Sequence, residues 1–391
     1  MSNLRIPFAV PLVAALLFSG LSGCSGSSGS SGSDPPNPMA GTMLASAQAE
    51  ALVEAGFFPR FNEPGNVLIS DQFNNRVIEI DPHGDGDIVW SFGGGPNDVT
   101  ADSPVGVNDA QRVGPFTLMS GTGVPPGTFE PLCPAGCVDN RVFLVSPRGH
   151  IVWQYGQFGV TGSGRDELST PVQATWLPDF HVLITDQANN RVIEVTLDKH
   201  IVWQYGMTGV AGDGPDQLNN PNSAELLANG HILIADQGNN RAIEVTHDDA
   251  KAIVATFTAG GTVNTCAFAS RLRNGNTLLT DSGNNRAVEV DRNDDVVWQY
   301  ATNLQPGSNP APNPTRAIRL ADGDTLISDQ FNDRVIVVDH QTPANLLKSY
   351  GNLNGPGYGT RDTSQGLNAP YDAKVVGDYT GLTPPFGDDF D

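Results

Sequence analysis

The sequence predicts an all-β fold, a six-bladed β-propeller of four-stranded antiparallel blades. A hairpin pattern recurs along the chain, a tryptophan-bearing strand follows most copies, and a short strand that often begins with proline precedes them. The clearest hairpin is HILIADQGNNRAIEV, residues 231–245, in which alternating β-branched residues flank a Gly-Asn-Asn turn. A ring of such four-stranded repeats covers its sheet faces and leaves only short edges, as a propeller does.

The spacing of the hairpin copies sets the repeat length. Near-copies begin at Val67, Val182, Thr277 and Thr325, and a degenerate copy begins at Val138. The arginine that opens the second strand recurs every 45 to 50 residues, apart from one interval of 65. These arginines are Arg76, Arg141, Arg191, Arg241, Arg286 and Arg334. This period predicts one closed array of repeats in place of two average domains.

Two further strands complete each repeat. A tryptophan follows the arginine by 12 or 14 residues, an even spacing that keeps it on one face, so we expect it to pack between blades. The four tryptophans at this position are Trp90, Trp153, Trp203 and Trp298. Upstream of the hairpins lie short strands such as PVQATWL from Pro171 and PTRAIRL from Pro314. Each repeat therefore has four strands.

The two ends of the repeat region are expected to close the ring. The segment FFPRFNEPG before the first hairpin fits the inner-strand pattern poorly, whereas LNAPYDAKVVG from Leu367 fits it well. We therefore expect residues 370–376 to supply the inner strand of the first blade, and residues 39–61 to form a helix or cap on the ring. A seventh or irregular blade is the alternative.

The amino-terminal segment is typical of export. Residues 1–24 contain Arg5, an apolar stretch from Ile6 to Phe18 and the ending LSGC, and they are too short to predict a membrane span. LSGC resembles the lipobox of bacterial lipoproteins, which implies lipid modification of Cys24 and a place in the cell envelope, facing the periplasm or the cell surface. An ordinary cleaved signal is the alternative. Residues 25–38 form a Gly/Ser/Pro tether.

The rest of the domain plan and the charge follow from composition. The propeller is expected over residues 62–380 and an acidic tail over residues 381–391. The chain has 21 Lys and Arg against 43 Asp and Glu, a net charge of −22, which argues against nucleic acid or an anionic membrane surface as a partner. We expect membrane contact through the lipid anchor only, and a monomer.

The repeats resemble those of NHL-repeat propellers. The resemblance lies in a Gly-rich connector, a proline, a strand and then Asp followed by Asn-Asn-Arg, as in GDGPDQLNNPNSAELLANGHILIADQGNNRAIEV, and it covers about residues 67–373. It implies the propeller fold but no particular activity, because such propellers include interaction scaffolds and some enzymes. The outer strand IVWQY departs from the NHL pattern and is similar to periplasmic arylsulfotransferase and quinoprotein-like propellers.

Residues that recur in nearly every blade are expected to be structural, because a catalytic site occurs once. The Asp and Arg of the hairpin lie five residues apart and could pair across its turn. A ring of cation-binding aspartates is the alternative. His181 and His231 open equivalent strands of adjacent blades near the axis, where a catalytic imidazole or a shared metal is one interpretation and ordinary polar turn residues are the other. The inner strands offer channel candidates, namely Arg271, Arg316, Arg319 and Glu225.

An insertion over residues 121–138 breaks the symmetry of the second blade. It contains Cys133 and Cys137, which are candidates for a disulfide in an exported protein, whereas a metal site there lacks nearby histidines. Loops held by a rigid scaffold often carry recognition, so this face is the first candidate for partner contact. A tolerated insertion is the alternative.

Two functions follow from these patterns. The first is a non-catalytic exported scaffold that binds an envelope protein, a glycan or a small ligand on its loop face. The alternative is a propeller enzyme, arylsulfotransferase-like or lyase-like, that uses His181 or His231 with channel arginines such as Arg271 and Arg319 on an anionic substrate. The chain has no P-loop, dinucleotide-binding or GxSxG motif, and no cofactor can be assigned.

Overall fold

A computed structural model describes residues 38–387, with the side chains of the first helix described from Ala47 onward. The expected signal segment with Cys24 and nearly all of the expected tether lie outside the described residues, as do residues 388–391.

The described chain contains one α-helix, six short 3₁₀ turns and twenty-four strands. The helix is α1 (Pro38–Ala55), and the 3₁₀ turns are Gln72–Asn74, Gln187–Asn189, Gln237–Asn239, Ser282–Asn284, Gln330–Asn332 and Thr363–Gln365. In chain order the strands are β1 (Val67–Asp71), β2 (Arg76–Asp81), β3 (Asp87–Phe92), β4 (Val107–Val113), β5 (Phe116–Val124), β6 (Cys137–Val145), β7 (Ile151–Gly156), β8 (Pro171–Trp176), β9 (Val182–Asp186), β10 (Arg191–Val195), β11 (Ile201–Tyr205), β12 (Ser223–Leu226), β13 (Ile232–Asp236), β14 (Arg241–Val245), β15 (Ile253–Phe257), β16 (Cys266–Arg271), β17 (Thr277–Asp281), β18 (Arg286–Val290), β19 (Val296–Ala301), β20 (Arg316–Arg319), β21 (Thr325–Asp329), β22 (Arg334–Val338), β23 (Leu346–Gly351) and β24 (Pro370–Val375).

The strands form six four-stranded antiparallel sheets, which confirms the predicted six-bladed propeller. We call the strands of each blade a to d, from the axis to the rim. Blade 1 is β24, β1, β2 and β3, blade 2 is β4–β7, blade 3 is β8–β11, blade 4 is β12–β15, blade 5 is β16–β19 and blade 6 is β20–β23. No seventh sheet is present among residues 38–387.

Blade 1 joins distant parts of the chain. Strand β24 pairs antiparallel with β1, and the register places Val67 opposite Val375 and Ile69 opposite Ala373. The carboxyl-terminal strand therefore completes the first blade, as the inner-strand pattern predicted.

The hydrophobic core lies between blades. Each of six buried clusters joins two neighbouring blades, such as the cluster in which Ile69 and Ile78 of blade 1 pack with Leu326 and Val335 of blade 6. The tryptophans of strand d belong to these clusters or pack against them, which confirms the packing role predicted for them. Alternation along each strand thus covers both faces of every sheet.

The repeated Asp and Arg hold the hairpin turns together. In blade 3, Asp186 Oδ2 accepts hydrogen bonds from Arg191 Nε at 2.8 Å and Asn189 Nδ2 at 2.7 Å, and Asp186 Oδ1 accepts one from the backbone N–H of Ser169 at 2.8 Å. Asn190, at φ 54°, closes the turn in the left-handed region that asparagine tolerates. The same Asp–Arg pair recurs in the other standard blades, as a structural role requires. In blade 2, Asp139 takes over as the partner of Arg141.

The propeller has two faces, which we name by their turns. The front face carries the b–c hairpin turns and the connectors between blades, and the back face carries the a–b and c–d turns. Helix α1 lies on the back face, where Ala51 is buried against blades 2 and 3 and Glu54 accepts a hydrogen bond from the backbone N–H of Arg148. Within residues 38–387, no helix is both long enough and apolar enough to cross a bilayer.

Candidate functional site

A compact charge network fills the middle of the axial channel. Arg316 of blade 6 lies 2.7 Å from Asp109 of blade 2 and 2.8 Å from Asp372 of blade 1. Lys374 lies 2.6 Å from Asp109 and 2.5 Å from Asp372. The two carboxylates and two cations balance, which is the arrangement that buried charges require. Burial raises the pKa of Asp109 to about 6, although Lys374 opposes the shift.

The back end of the channel is closed by the segment after β24. Thr383 donates its backbone N–H and its hydroxyl to Glu225 Oε2 at 2.8 and 2.6 Å, and its carbonyl accepts a hydrogen bond from Gln111. Leu382 packs on Phe268 and Ile318 from the inner strands. The remaining cavity is about 20 Å³, room for about one water molecule.

This segment includes the first residues of the span expected as an acidic tail, and residues 388–391 of that span lie outside the described residues. Residues 382–385 are buried, because Leu382 removes apolar surface from water and Thr383 satisfies a buried carboxylate. We call residues 377–385 the plug.

The front end of the channel is narrowed by Tyr371. Its hydroxyl lies 3.0 Å from Asn222 Nδ2 and 3.1 Å from Asn222 Oδ1, so it connects blade 1 to the opposite blade 4. Burial raises the pKa of Tyr371, which keeps the phenol neutral and able to donate this hydrogen bond. The channel is therefore a filled polar core between the plug and Tyr371.

Arg271 and Arg319 do not lie in the channel, contrary to the channel role considered for them. Arg271 contacts Glu244 at 2.8 Å, and Arg319 contacts Glu289 at 2.9 Å, each across the boundary to the preceding blade. Arg316 and Arg319 are three positions apart on one strand, so their side chains leave opposite faces of the sheet. The axial arginine is Arg316, and the other two are ion-paired between blades.

His181 and His231 also lie in back-face clefts between blades, and each has its own carboxylate. His181 Nδ1 lies 2.5 Å from Glu194 Oε1, and His231 Nδ1 lies 2.7 Å from Glu244 Oε1. The hydrogen bond to Glu194 raises the pKa of His181, and desolvation opposes it. The two imidazoles occupy separate clefts and share no ligand-binding contact, so the structure does not bring them together as one site.

Sequence reasoning missed the glutamates of strand c and one further histidine. Glu79, Glu194, Glu244 and Glu289 are buried at successive positions of the repeat, and His247 Nε2 lies 2.6 Å from Glu194 Oε2. Burial works to raise the pKa of Glu194, but the two imidazoles outweigh it and lower the pKa to about 2. The available signal is the repeated Glu in the motifs RVIEV, RAIEV and RAVEV, which is hard to separate from the rest of the repeat pattern.

A groove of about 410 Å³ opens on the front face between blades 1 and 2. The blade-2 insertion forms one wall, and Phe129 from it meets Phe73 edge-on, with ring centroids 6.2 Å apart. Leu132, at 49% exposure, presents apolar surface at its rim. The groove is lined by Phe73, Pro96, Asn97, Thr128, Phe129, Glu130, Leu132 and Asn368.

The insertion is partly strand and partly loop. Strands β5 and β6 continue pairing as far as Val124 and Cys137, so the irregular part is residues 125–136. Cys133 and Cys137 form a disulfide, the pairing that the sequence left as a candidate. Cys266 is a buried free thiol.

No protein-family model and no curated protein matches the chain. Among solved structures it is similar to virginiamycin B lyase from Staphylococcus aureus, with 14% identity, coverage of 73% of this chain and 81% of that chain, and a TM-score of 0.48. It is also similar to a protein of unknown function from Bacteroides caccae, with 14% identity, coverage of 71% and 91%, and a TM-score of 0.48. A functionally unknown protein from Desulfotomaculum acetoxidans has 10% identity, coverage of 73% and 80%, and a TM-score of 0.43. Such low identities and TM-scores carry no inference about activity, and the fold rests on the six sheets of this chain.

Proposed function

We propose that this chain is a non-catalytic, exported, NHL-like propeller that binds a partner protein of the cell envelope in its front-face groove. The main support for this proposal is the difference in volume between two cavities. The cavity beside the plug in the axial channel, where propellers commonly hold small ligands, has a volume of about 20 Å³, whereas the groove offers about 410 Å³. The groove lies on the face opposite α1.

The chemistry of the groove favours a protein over a glycan or a small ligand. Phe73, Phe129 and Leu132 give it an apolar floor and rim, while Asn97 and Asn368 offer amides at its edge. A partner loop with one aromatic or aliphatic anchor fits such a pocket, since buried anchors carry most of the binding energy of protein interfaces. The charge of −22 favours basic residues around that anchor.

Site-directed photo-crosslinking in the native envelope tests the proposal. A photoreactive amino acid at position 132 is expected to capture one envelope protein, to be identified by mass spectrometry and then purified. Leu132→Asp is expected to weaken binding of that purified partner at least about tenfold, as loss of an anchor contact does. The matched control is Val297→Asp on the rim of blade 5, because Val297 is 51% exposed and far in sequence from the groove.

Three results would overturn the proposal. The first is equal binding by the Leu132→Asp variant and the parent. The second is binding of a glycan or a small ligand in place of a protein at this groove. The third is turnover of aryl sulfates or lactones by the parent that is lost in His181→Ala or His231→Ala, which would favour the enzyme alternative.

A further inference from the structure

Three of the six clefts between blades share one construction on the back face. Strand c of the preceding blade directs a buried glutamate into the cleft, and the last or second-last residue of strand a in the next blade is an arginine that neutralises it. This arrangement joins Glu79 with Arg112, Glu244 with Arg271 and Glu289 with Arg319. A buried carboxylate needs such a partner, because its desolvation is otherwise uncompensated.

The cleft between blades 3 and 4 has the glutamate but lacks the arginine. Leu226 stands at the arginine position, because it pairs with Ile232 at the start of strand b just as Arg271 pairs with Thr277. Glu194 is still buried, at 4% exposure. Two histidines face its carboxylate in place of the guanidinium, His181 at 2.5 Å and His247 at 2.6 Å.

A second substitution adds a carboxylate to the same cleft. In blades 4 and 5, Asn229 and Asn274 donate amide hydrogen bonds to Glu244 and Glu289. The equivalent residue in blade 3 is Asp179, two residues before His181, and a carboxylate cannot donate. Asp179 Oδ2 instead lies 3.2 Å from His181 Nδ1. Compared with the clefts around Glu244 and Glu289, this cleft therefore lacks the fixed cation and the amide donor, and it holds two imidazoles and a second carboxylate.

Three of these side chains converge on one small volume. Asp179, His181 and Glu194 each offer a ligand atom, and these atoms lie within 4.8 Å of one another. His247 reaches Glu194 from blade 4, and its ring is held edge-on by Trp203, with centroids 4.7 Å apart. The Asp179 side chain is 59% exposed, which gives the cleft an opening to solvent.

We propose that this cleft is a divalent transition-metal site of the zinc class, with Asp179, His181, Glu194 and His247 as ligands. Imidazole and carboxylate are ligands that Zn²⁺ prefers, in tetrahedral sets of four, whereas Ca²⁺ takes six to eight oxygens. Tetrahedral ligands at zinc distances lie about 3.3 Å apart, so His181 would move back from Glu194 by less than about 1 Å, and His247 would turn from Glu194 toward the ion. Protons held between an imidazole and Glu194 pass to solvent as the ion binds. Because the ligands come from blades 3 and 4, the ion ties the two blades together.

The test uses the full chain, prepared without a histidine tag and stripped with a chelator. Titration with Zn²⁺ alone is expected to give one ion per chain and to raise the melting temperature, since a ligand that binds only the native state stabilises it. His247→Gln is expected to lower the affinity at least about tenfold, the loss that even outer ligands cause. His340→Gln is the matched control, because His340 occupies the same turn position beside Glu289, where Arg319 is present.

Leu226→Arg gives an independent test in which the fold is expected to persist. This variant recreates the arginine of the neighbouring clefts, so it is expected to abolish Zn²⁺ binding while the metal-free protein melts no lower than the parent. The proposal is overturned if the stripped parent binds no Zn²⁺, if His247→Gln and His340→Gln lose the same affinity, or if Leu226→Arg binds Zn²⁺ as the parent does.

Discussion

Thr383 donates two hydrogen bonds to Glu225, although the two residues lie 158 positions apart in the chain. One comes from the backbone N–H and one from the hydroxyl, and both end on the same carboxylate oxygen. The plug is thus held to the inner strand of blade 4 by a charge-assisted contact inside the protein.

Thr383→Val is expected to lower the free energy of unfolding by about 1–3 kcal/mol, because it keeps the shape and removes a donor from a buried carboxylate. Urea unfolding measures this loss of free energy, and the dependence of the unfolding free energy on urea concentration is expected to stay unchanged. Thr380→Val is the control, since the Thr380 hydroxyl is buried and makes no hydrogen bond, and its effect is expected within about 0.5 kcal/mol. Equal losses in the two variants would contradict the proposed role of the hydroxyl.

Asp333→Asn is expected to stabilise the protein at neutral pH. Other blades place asparagine at this turn position, and burial raises the pKa of Asp333 to about 6, although the backbone N–H of Ala369 opposes the shift. A carboxyl group with a raised folded-state pKa stabilises the fold while protonated, and this contribution disappears as the pH rises from about 4 to about 6. The variant is therefore expected to gain about 1–3 kcal/mol over the parent above pH of about 6, and little at a pH of about 4. Urea unfolding at several pH values measures this difference, and a gain that does not depend on pH would contradict the argument.

Asp186→Asn is expected to cost about 3 kcal/mol, because Arg191 then remains as a buried charge without its carboxylate. Lys199→Met is the comparison, since its pair with Asp166 is partly exposed and such pairs contribute less than about 1 kcal/mol. Denaturant unfolding of the two variants and the parent measures the loss of unfolding free energy in each variant. A small loss for Asp186→Asn would mean that the turn does not depend on the ion pair.

Replacing both Cys133 and Cys137 with serine is expected to loosen the insertion without unfolding the propeller. The irregular residues 125–136 lie outside the hydrophobic clusters between blades, so the melting temperature is expected to stay near that of the parent. Limited chymotrypsin digestion is expected to cut faster after Phe129 or Leu132 in the variant. Unchanged digestion would show that Phe73 and the neighbouring strands hold the loop by themselves.

The repeating elements could be predicted from the sequence because each carries a local signal. The Asp-to-Arg spacing marked the hairpins, the tryptophans marked strand d, and the match of residues 370–376 to the inner-strand pattern predicted closure. The hairpin ion pairs were also predictable, since residues five apart face each other across a short turn.

The contacts that define the candidate sites could not be predicted in the same way. Alternation separates the two faces of strand β20, but it does not say that Arg316 faces the axis and Arg319 faces the preceding blade. The plug depends on contacts between distant residues, and its composition resembles that of an exposed tail. The cleft between blades 3 and 4 did have a sequence signal. When the repeats are aligned, Leu226 occupies the position held by Arg271 and Arg319 in the other blades.

The pairing of β24 with β1 also has a consequence for how the chain folds. Until residues 370–375 are available, strand β1 has an unpaired backbone edge. The ring of six blades then lacks the inner strand of blade 1. Contacts between such distant segments form slowly, and an open strand edge invites pairing with other chains. Shortened chains that end before Pro370 are therefore expected to aggregate, whereas in the full-length chain β24 covers this edge of β1.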